Sequence, residues 1–116
     1  MPTNELIRIS EQEVIKLGVS VSYKGFYYLV FAIVFAVEIG LRKINLNKEI
    51  YDRIAYLNDV TRESVEKCIR NCLVKAWQNQ ECEYIKTLSP NGKRPTNGEL
   101  IALISNRIRL ERGSGF

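Results

Sequence analysis

The stretch EIYDRIAYLNDVTRESVEKCIRNCLVKAW, Glu49 to Trp77, decides the fold, and it divides at Asn58-Asp59. Before the break, Ile50, Ile54, Ala55 and Leu57 share one side of a helical wheel, and Lys48, Glu49, Asp52 and Arg53 lie elsewhere. That spacing predicts a surface helix on a core over Asn47 to Leu57. After the break, Thr61 is suited to cap a helix start, and the run to Gln78 contains neither Gly nor Pro. With Val65 set at zero and about 100° per residue, Cys68, Ile69, Cys72 and Ala76 lie within about 60° of it. Glu63, Lys67, Arg70 and Val74 lie opposite. Two helices joined by the short link Asn58 to Val60, the second long and partly cationic, make a helix-turn-helix candidate.

The split of the second helix is what a DNA-recognition helix needs. One face must hold it on a core while long donors and acceptors on the other reach base edges. Lys67 and Arg70 can donate to guanine, Glu66 can accept from cytosine, and Asn71 can pair with adenine. The same split also describes an ordinary solvated helix with mixed charges, and the residues of this helix alone do not choose between the two.

Working outward, Leu6, Ile7, Ile9, Val14, Ile15 and Leu17 recur at helical spacing over Asn4 to Leu17, with Gly18 as a C-terminal stop. FYYLVFAIVFAV, Phe26 to Val37, is apolar on nearly every side and is closed by Glu38, Arg42 and Lys43. A bilayer span needs roughly 20 apolar residues, so this segment is read as a central buried helix within Lys24 to Ile39. Downstream, a short helix is expected over Glu81 to Leu88. Ser89 to Pro95 packs two prolines and a glycine into one loop with a basic pair, Lys93 and Arg94. Thr96 and Glu99 then have the spacing of a capping box, which opens a last helix to about Arg112. Gly113 to Phe116 reads as a flexible tail.

The chain has 116 residues, enough for one domain. Its 17 Lys and Arg exceed its 13 Asp and Glu, and the excess is uneven. Residues 1–41 carry 3 basic and 4 acidic groups, and residues 42–116 carry 14 and 9. The positive field therefore belongs to the C-terminal two-thirds, which suits a polyanionic partner. There is no histidine, so no Ser-His-Asp or Cys-His set can form, and no glycine-rich phosphate loop is present. An enzyme is not expected, nor a small-molecule substrate, a cofactor or a metal site. The three cysteines, Cys68, Cys72 and Cys82, form neither a CxxC pair nor an even disulfide set, which fits a reducing, cytoplasmic setting. Cys68 and Cys72 fall on the inner face and are expected to be packing residues, and Trp77 a buried anchor. The N-terminus lacks the pattern of a secretory signal.

Three blocks carry a stronger signal than the wheel: LGVSVSYKGFYYL (Leu17 to Leu29), the Glu49 to Trp77 stretch, and KRPTNGELIALISNRIRLE (Lys93 to Glu111). In that order they resemble the C-terminal DNA-binding effector domain of the sporulation-initiating response regulator of spore-forming bacteria. The most specific points are Gly18, Lys24-Gly25, Ile54-Ala55, Val65-Glu66, Ile69-Arg70, Ala76-Trp77, Pro95-Thr96-Asn97 and Arg109-Leu110-Glu111. The resemblance implies an all-α fold of six helices whose fourth enters the major groove, tandem paired copies on DNA, contact with RNA polymerase, and recognition of a TGTCGAA-type box. By position it places the base-reading surface on Glu63, Ser64, Glu66, Lys67, Arg70 and Asn71. Ser64 and Lys67 stand where the family typically has arginine. A lysine cannot reproduce the bidentate fork of arginine on guanine, so the usual box is expected to be read differently. The family also joins this effector to a phosphorylated receiver, for which 116 residues from Met1 leave no room. The expectation is that the chain is either an excised or naturally separate effector, or one whose control is not by phosphorylation in cis, and the sequence does not choose between them.

The expectation is therefore a single all-α, six-helix domain over residues 1–112 that binds double-stranded DNA through the helix Thr61 to Gln78. Lys43, Lys48, Lys75, Lys93 and Arg94 are the expected phosphate contacts, because helix ends and flanking loops touch the backbone beside an inserted helix. Arg107, Arg109 and Arg112 remain unassigned. The alternative is a protein-interaction module of the same fold that binds a related regulator or RNA polymerase instead of DNA.

Overall fold

The computed structural model describes residues 3–40, 46–79, 81–89 and 91–111. Within them the chain forms six α-helices and no strand, as the hydrophobic spacing predicts. Helix α1, Asn4–Lys16, starts where Thr3 Oγ1 accepts the Leu6 N–H at 3.0 Å. It ends at Gly18, whose φ of +94° is open to glycine and disfavoured for residues with a Cβ. Helix α2, Phe26–Ile39, starts at Phe26 and not at Lys24, because Gly25 occupies the cap position. Ten of its 14 residues are buried. The helix is the axis of the core, with α1, α6 and α4 packed around it. Each fully buried Leu, Ile, Val or Phe contributes about 1.5–3 kcal/mol, so this one helix, with ten of the 29 buried hydrophobic residues described, is the largest single contributor to the core.

The segment expected as one regular helix from Asn47 to Leu57 is in fact two pieces. A π-helical turn, Leu46–Tyr51, runs into helix α3, Asp52–Asn58. A π turn carries an extra residue and shifts the phase of the positions that follow. Here it accompanies the burial of Ile50, Tyr51 and Ile54 together. Asp59, at φ 54° and ψ 47°, ends α3 in the left-handed region, a conformation that Asp tolerates better than most residues. The Val60 N–H closes the turn onto the Ala55 carbonyl at 3.0 Å.

Helix α4, Arg62–Gln78, follows at once, with Thr61 Oγ1 accepting the Ser64 N–H at 3.1 Å. The Arg62 guanidinium straddles the Asp52 carboxylate, with Nε at 2.7 Å and Nη2 at 3.1 Å. With both side chains about 40% exposed, this fork adds only modestly to the way α4 leaves α3. Val65, Ile69, Cys72, Leu73 and Ala76 are buried, the inner face expected from the wheel with Leu73 added at its margin. Helix α5 is only Tyr84–Thr87, shorter than the expected Glu81 to Leu88. Asn79 Oδ1 takes the Glu81 N–H and its carbonyl takes the Cys82 N–H, which bends the chain before a helix can start. Helix α6, Asn97–Glu111, opens on the expected capping box. The Thr96 N–H donates to Glu99 Oε1 at 2.9 Å and the Glu99 N–H to Thr96 Oγ1 at 3.1 Å.

Tyr84 pins three of these helices together. Its hydroxyl donates to Glu13 Oε1 at 2.7 Å and accepts from the Arg107 guanidinium, and Lys16 Nζ sits 4.6 Å above its ring. Burial, then the hydrogen bond and charge of Glu13, push its pKa from 10.0 up to about 12, against the opposing pull of Arg107. A phenol whose folded pKa is raised contributes stability that is fully present below pH 10 and is lost as pH climbs toward 12. We expect an ultraviolet phenolate titration to show a component near 12 that is missing in Tyr84→Phe. The wild type should also lose more stability than that variant over this window. A Tyr84 phenolate that forms at an ordinary pH would disprove the pin.

Candidate nucleic-acid interface

Helix α4 lies between two walls. Its sides are held by Asn97, whose Nδ2 donates to the Glu66 carbonyl at 3.1 Å, and by Gly25, which abuts the backbone of Cys68. Between them Glu63, Lys67, Arg70 and Asn71 are exposed, and Ser64 and Glu66 are half-buried. All six residues expected to read bases therefore fall on one outward ridge. At roughly 1.5 Å per residue the 17-residue helix is about 25 Å long, ample to cross a major groove about 12 Å wide.

The ridge has internal structure that no wheel displays. Glu66 and Arg70, one turn apart, form a tight ion pair with Arg70 Nη1 at 2.5 and 2.6 Å from the two carboxylate oxygens. Both side chains remain about 40% exposed, so the pair is a weak lock in water. It nonetheless presents the guanidinium alongside an acceptor, a ready-made donor and acceptor set. Lys67 stands alone on the outermost line.

On one flank a recess of about 170 Å³ is lined by Tyr23, Lys24, Asn71 and Lys75, with Gly25 and two cysteines at its base. Lys75 Nζ lies 4.5 Å above the Tyr23 ring, which orients the ammonium beside the ridge. Lys24, exposed on the same wall, was missed by charge spacing alone. It belongs to a different stretch of sequence, and only the packing of Gly25 on α4 brings it here. On the other flank a cleft of about 360 Å³ runs between Glu66 and Arg70 and the start of α6, where Arg94, Thr96, Asn97 and Gly98 line it.

Of the expected phosphate contacts, Lys75 and Arg94 line these two walls, and Lys93 is exposed in the loop beside Arg94. Lys48 is exposed on the π turn, and Lys43 lies outside the described residues. Arg107 and Arg109 are structural. Arg107 is bound to Tyr84, and Arg109 Nη1 donates to the Val37 carbonyl at 3.0 Å. Arg112 lies outside the described residues.

Cys72 is buried and Cys68 half-buried. Burial is the main cause that pushes the Cys72 thiol up, against a hydrogen bond from the Gly25 backbone, so it is an unreactive packing group. Trp77 is half-buried against the core. Among the described residues no group of His, Cys, Asp or Glu is placed to hold a metal ion. No described helix is long and apolar enough to cross a membrane.

The ridge and its two basic walls can receive a polyanion whose edges carry donors and acceptors. Independently, residues 11–108 match the family model described as sporulation initiation factor Spo0A C terminal.

Proposed function

The chain belongs to the family of the sporulation initiation factor C-terminal domain, and from that premise we propose that it is a sequence-specific binder of double-stranded DNA that inserts α4 into the major groove. The family supports a regulatory, DNA-binding effector domain, and the domain so read spans residues 1–112. The observation that carries the finer reading is the outward ridge of α4, with Lys67 and the Glu66–Arg70 pair between two basic walls. Glu66, Lys67 and Arg70 set the base preference, with Glu63, Ser64 and Asn71 beside them. Lys24, Lys75, Lys93 and Arg94 hold the phosphates on either side, and Lys48 reaches the backbone from the π turn. These contacts supply most of the affinity. The protein acts in the cytoplasm on the nucleoid, as a regulator and not as a catalyst.

A second observation supports a protein partner as well. Tyr56 and Leu57, at the end of α3, are 85% and 64% exposed, and Leu57 lines a recess with Phe31, Phe35 and Ile54. An apolar edge of this kind suits contact with a second copy on tandem sites or with RNA polymerase. It is also where a module that binds a protein partner and no DNA would engage.

The test is binding to duplexes carrying a TGTCGAA-type box and to scrambled duplexes, measured against salt concentration. We expect box-dependent binding with a slope of log affinity on log salt of several units, reflecting as many phosphate contacts. Binding that is weak and indifferent to sequence both on these duplexes and across a randomised duplex pool would overturn base reading by α4. No binding at all would favour the protein-interaction module.

A further inference from the structure

Two buried polar atoms on the floor of the α4–α6 cleft lack hydrogen-bond partners: Tyr51 Oη and Asn97 Oδ1. Tyr51 is 2% exposed and Asn97 8%, so ordinary solvation does not satisfy them, and an orphaned buried polar atom costs about 1–3 kcal/mol. The Asn97 side chain lies beside the phenol, but neither Tyr51 Oη nor Asn97 Oδ1 meets the distance and angle of a hydrogen bond with any group.

Donors surround this floor. The N–H groups of Asn97 and Gly98 are in the first turn of a 15-residue helix, where the helix itself offers no acceptor and the dipole is positive. Thr96 Oγ1 accepts from Glu99 and keeps its own hydrogen to donate. Arg94 and Arg70 close the rim. A Cβ built on Gly98 would meet only Leu46 Cδ2, at 3.5 Å, so the backbone is open to close approach.

We propose that this cleft is a seat for a phosphate group. The Tyr51 hydroxyl, the Thr96 hydroxyl, the Gly98 N–H and the Arg94 guanidinium donate to its oxygens. Such charge-assisted contacts to an oxyanion are the strong class of hydrogen bond, and a helix start flanked by arginine is suited to them. Two sources share this chemistry. One is a backbone phosphodiester of the duplex that α4 reads, in which case the seat deepens the proposed function and rests on it. The other is free phosphate or a phosphomonoester, whose remaining O–H would donate to Asn97 Oδ1.

The experiment titrates nitrogen-labelled protein with inorganic phosphate at constant ionic strength, with chloride as the balancing ion, and follows the amide resonances of Thr96, Asn97 and Gly98. We expect saturable shifts at about millimolar phosphate. Arg94→Ala should weaken them about tenfold or more, as expected for loss of a charged hydrogen bond. Tyr51→Phe, which removes only the orphaned hydroxyl, should weaken them several-fold with the urea midpoint little changed. Shifts that grow linearly without saturation, or that are equal in wild type and both variants, would overturn the seat.

A duplex arm separates the sources. If the occupant is a DNA phosphodiester, phosphate competes with the duplex, and Arg94→Ala weakens boxed and scrambled DNA alike and lowers the salt slope by about one. If the occupant is free phosphate, it stays bound in the duplex complex, and added phosphate at constant ionic strength leaves duplex affinity unchanged. Since the phosphate titration needs no DNA, failure of duplex binding with saturable phosphate shifts counts against the proposed function and leaves the seat standing.

Discussion

Gly25→Ala is expected to destabilise the domain by about 3 kcal/mol or more, and to lower its melting temperature by roughly 10–20 °C. The cause is space. Gly25 has φ −84° and ψ 0°, a conformation open to any L residue, so alanine meets no backbone strain. Its new Cβ, however, would lie 2.4 Å from the Cys68 carbonyl oxygen, 2.7 Å from the carbonyl carbon and 2.8 Å from Cys72 Sγ. The first two contacts are with helical backbone, which has no rotamer to change. Relief requires α2 and α4 to separate, and α2 is the axis on which the core is built. Gly98→Ala is the control. It sits in the first turn of α6 with 3.5 Å of clearance, and alanine there should change stability by no more than about 1 kcal/mol. Thermal or urea unfolding of the two variants checks this directly. A Gly25→Ala protein as stable as Gly98→Ala would mean that α2 does not press on α4 at this point.

Gly25 also marks the limit of what the sequence made legible. Helix number, the buried axis of Phe26 to Val37, the inner face of α4 and the Thr96–Glu99 capping box all follow from local rules. Each depends on residues within about three helical turns of one another. The π turn was not legible, because an extra residue in one turn changes phase without leaving a composition mark. Nor was the truncated α5, which depends on one residue, Asn79, whose side chain takes the Glu81 N–H while its backbone carbonyl takes the Cys82 N–H. At the candidate interface the ridge was readable from the wheel. The walls were not, because Lys24 comes from the loop before α2 and Arg94 from the loop before α6, and only tertiary packing brings both to the flanks of α4. The orphaned atoms of Tyr51 and Asn97 were equally invisible, since orphanhood is a property of a folded surrounding.

Arg70→Ala is expected to weaken binding to a boxed duplex by about 1–3 kcal/mol and to relax base choice at one position. The truncation does two things at once. It removes a planar fork, the group best matched to guanine O6 and N7. It also releases the Glu66 carboxylate, now held at 2.5 and 2.6 Å by Arg70 Nη1, as an unpaired negative charge on the face proposed to meet DNA. The second effect is insensitive to sequence and weakens boxed and scrambled duplexes alike, so the difference between the two losses isolates base reading. Adding Glu66→Gln to Arg70→Ala should restore affinity for scrambled DNA without restoring discrimination. Lys93→Ala supplies the comparison, because an exposed loop lysine that touches only phosphate should weaken both duplexes equally and lower the salt slope by about one. With Ser64 and Lys67 beside it on the outward ridge, Arg70 is the one of the six proposed base-reading residues that carries a planar fork, so the discrimination of the domain should rest on it heavily. If Arg70→Ala and Lys93→Ala gave the same profile on both duplexes, Arg70 would be a phosphate contact. The sequence preference of this chain would then have to come from Lys67 and Asn71, or from the shape of the duplex itself.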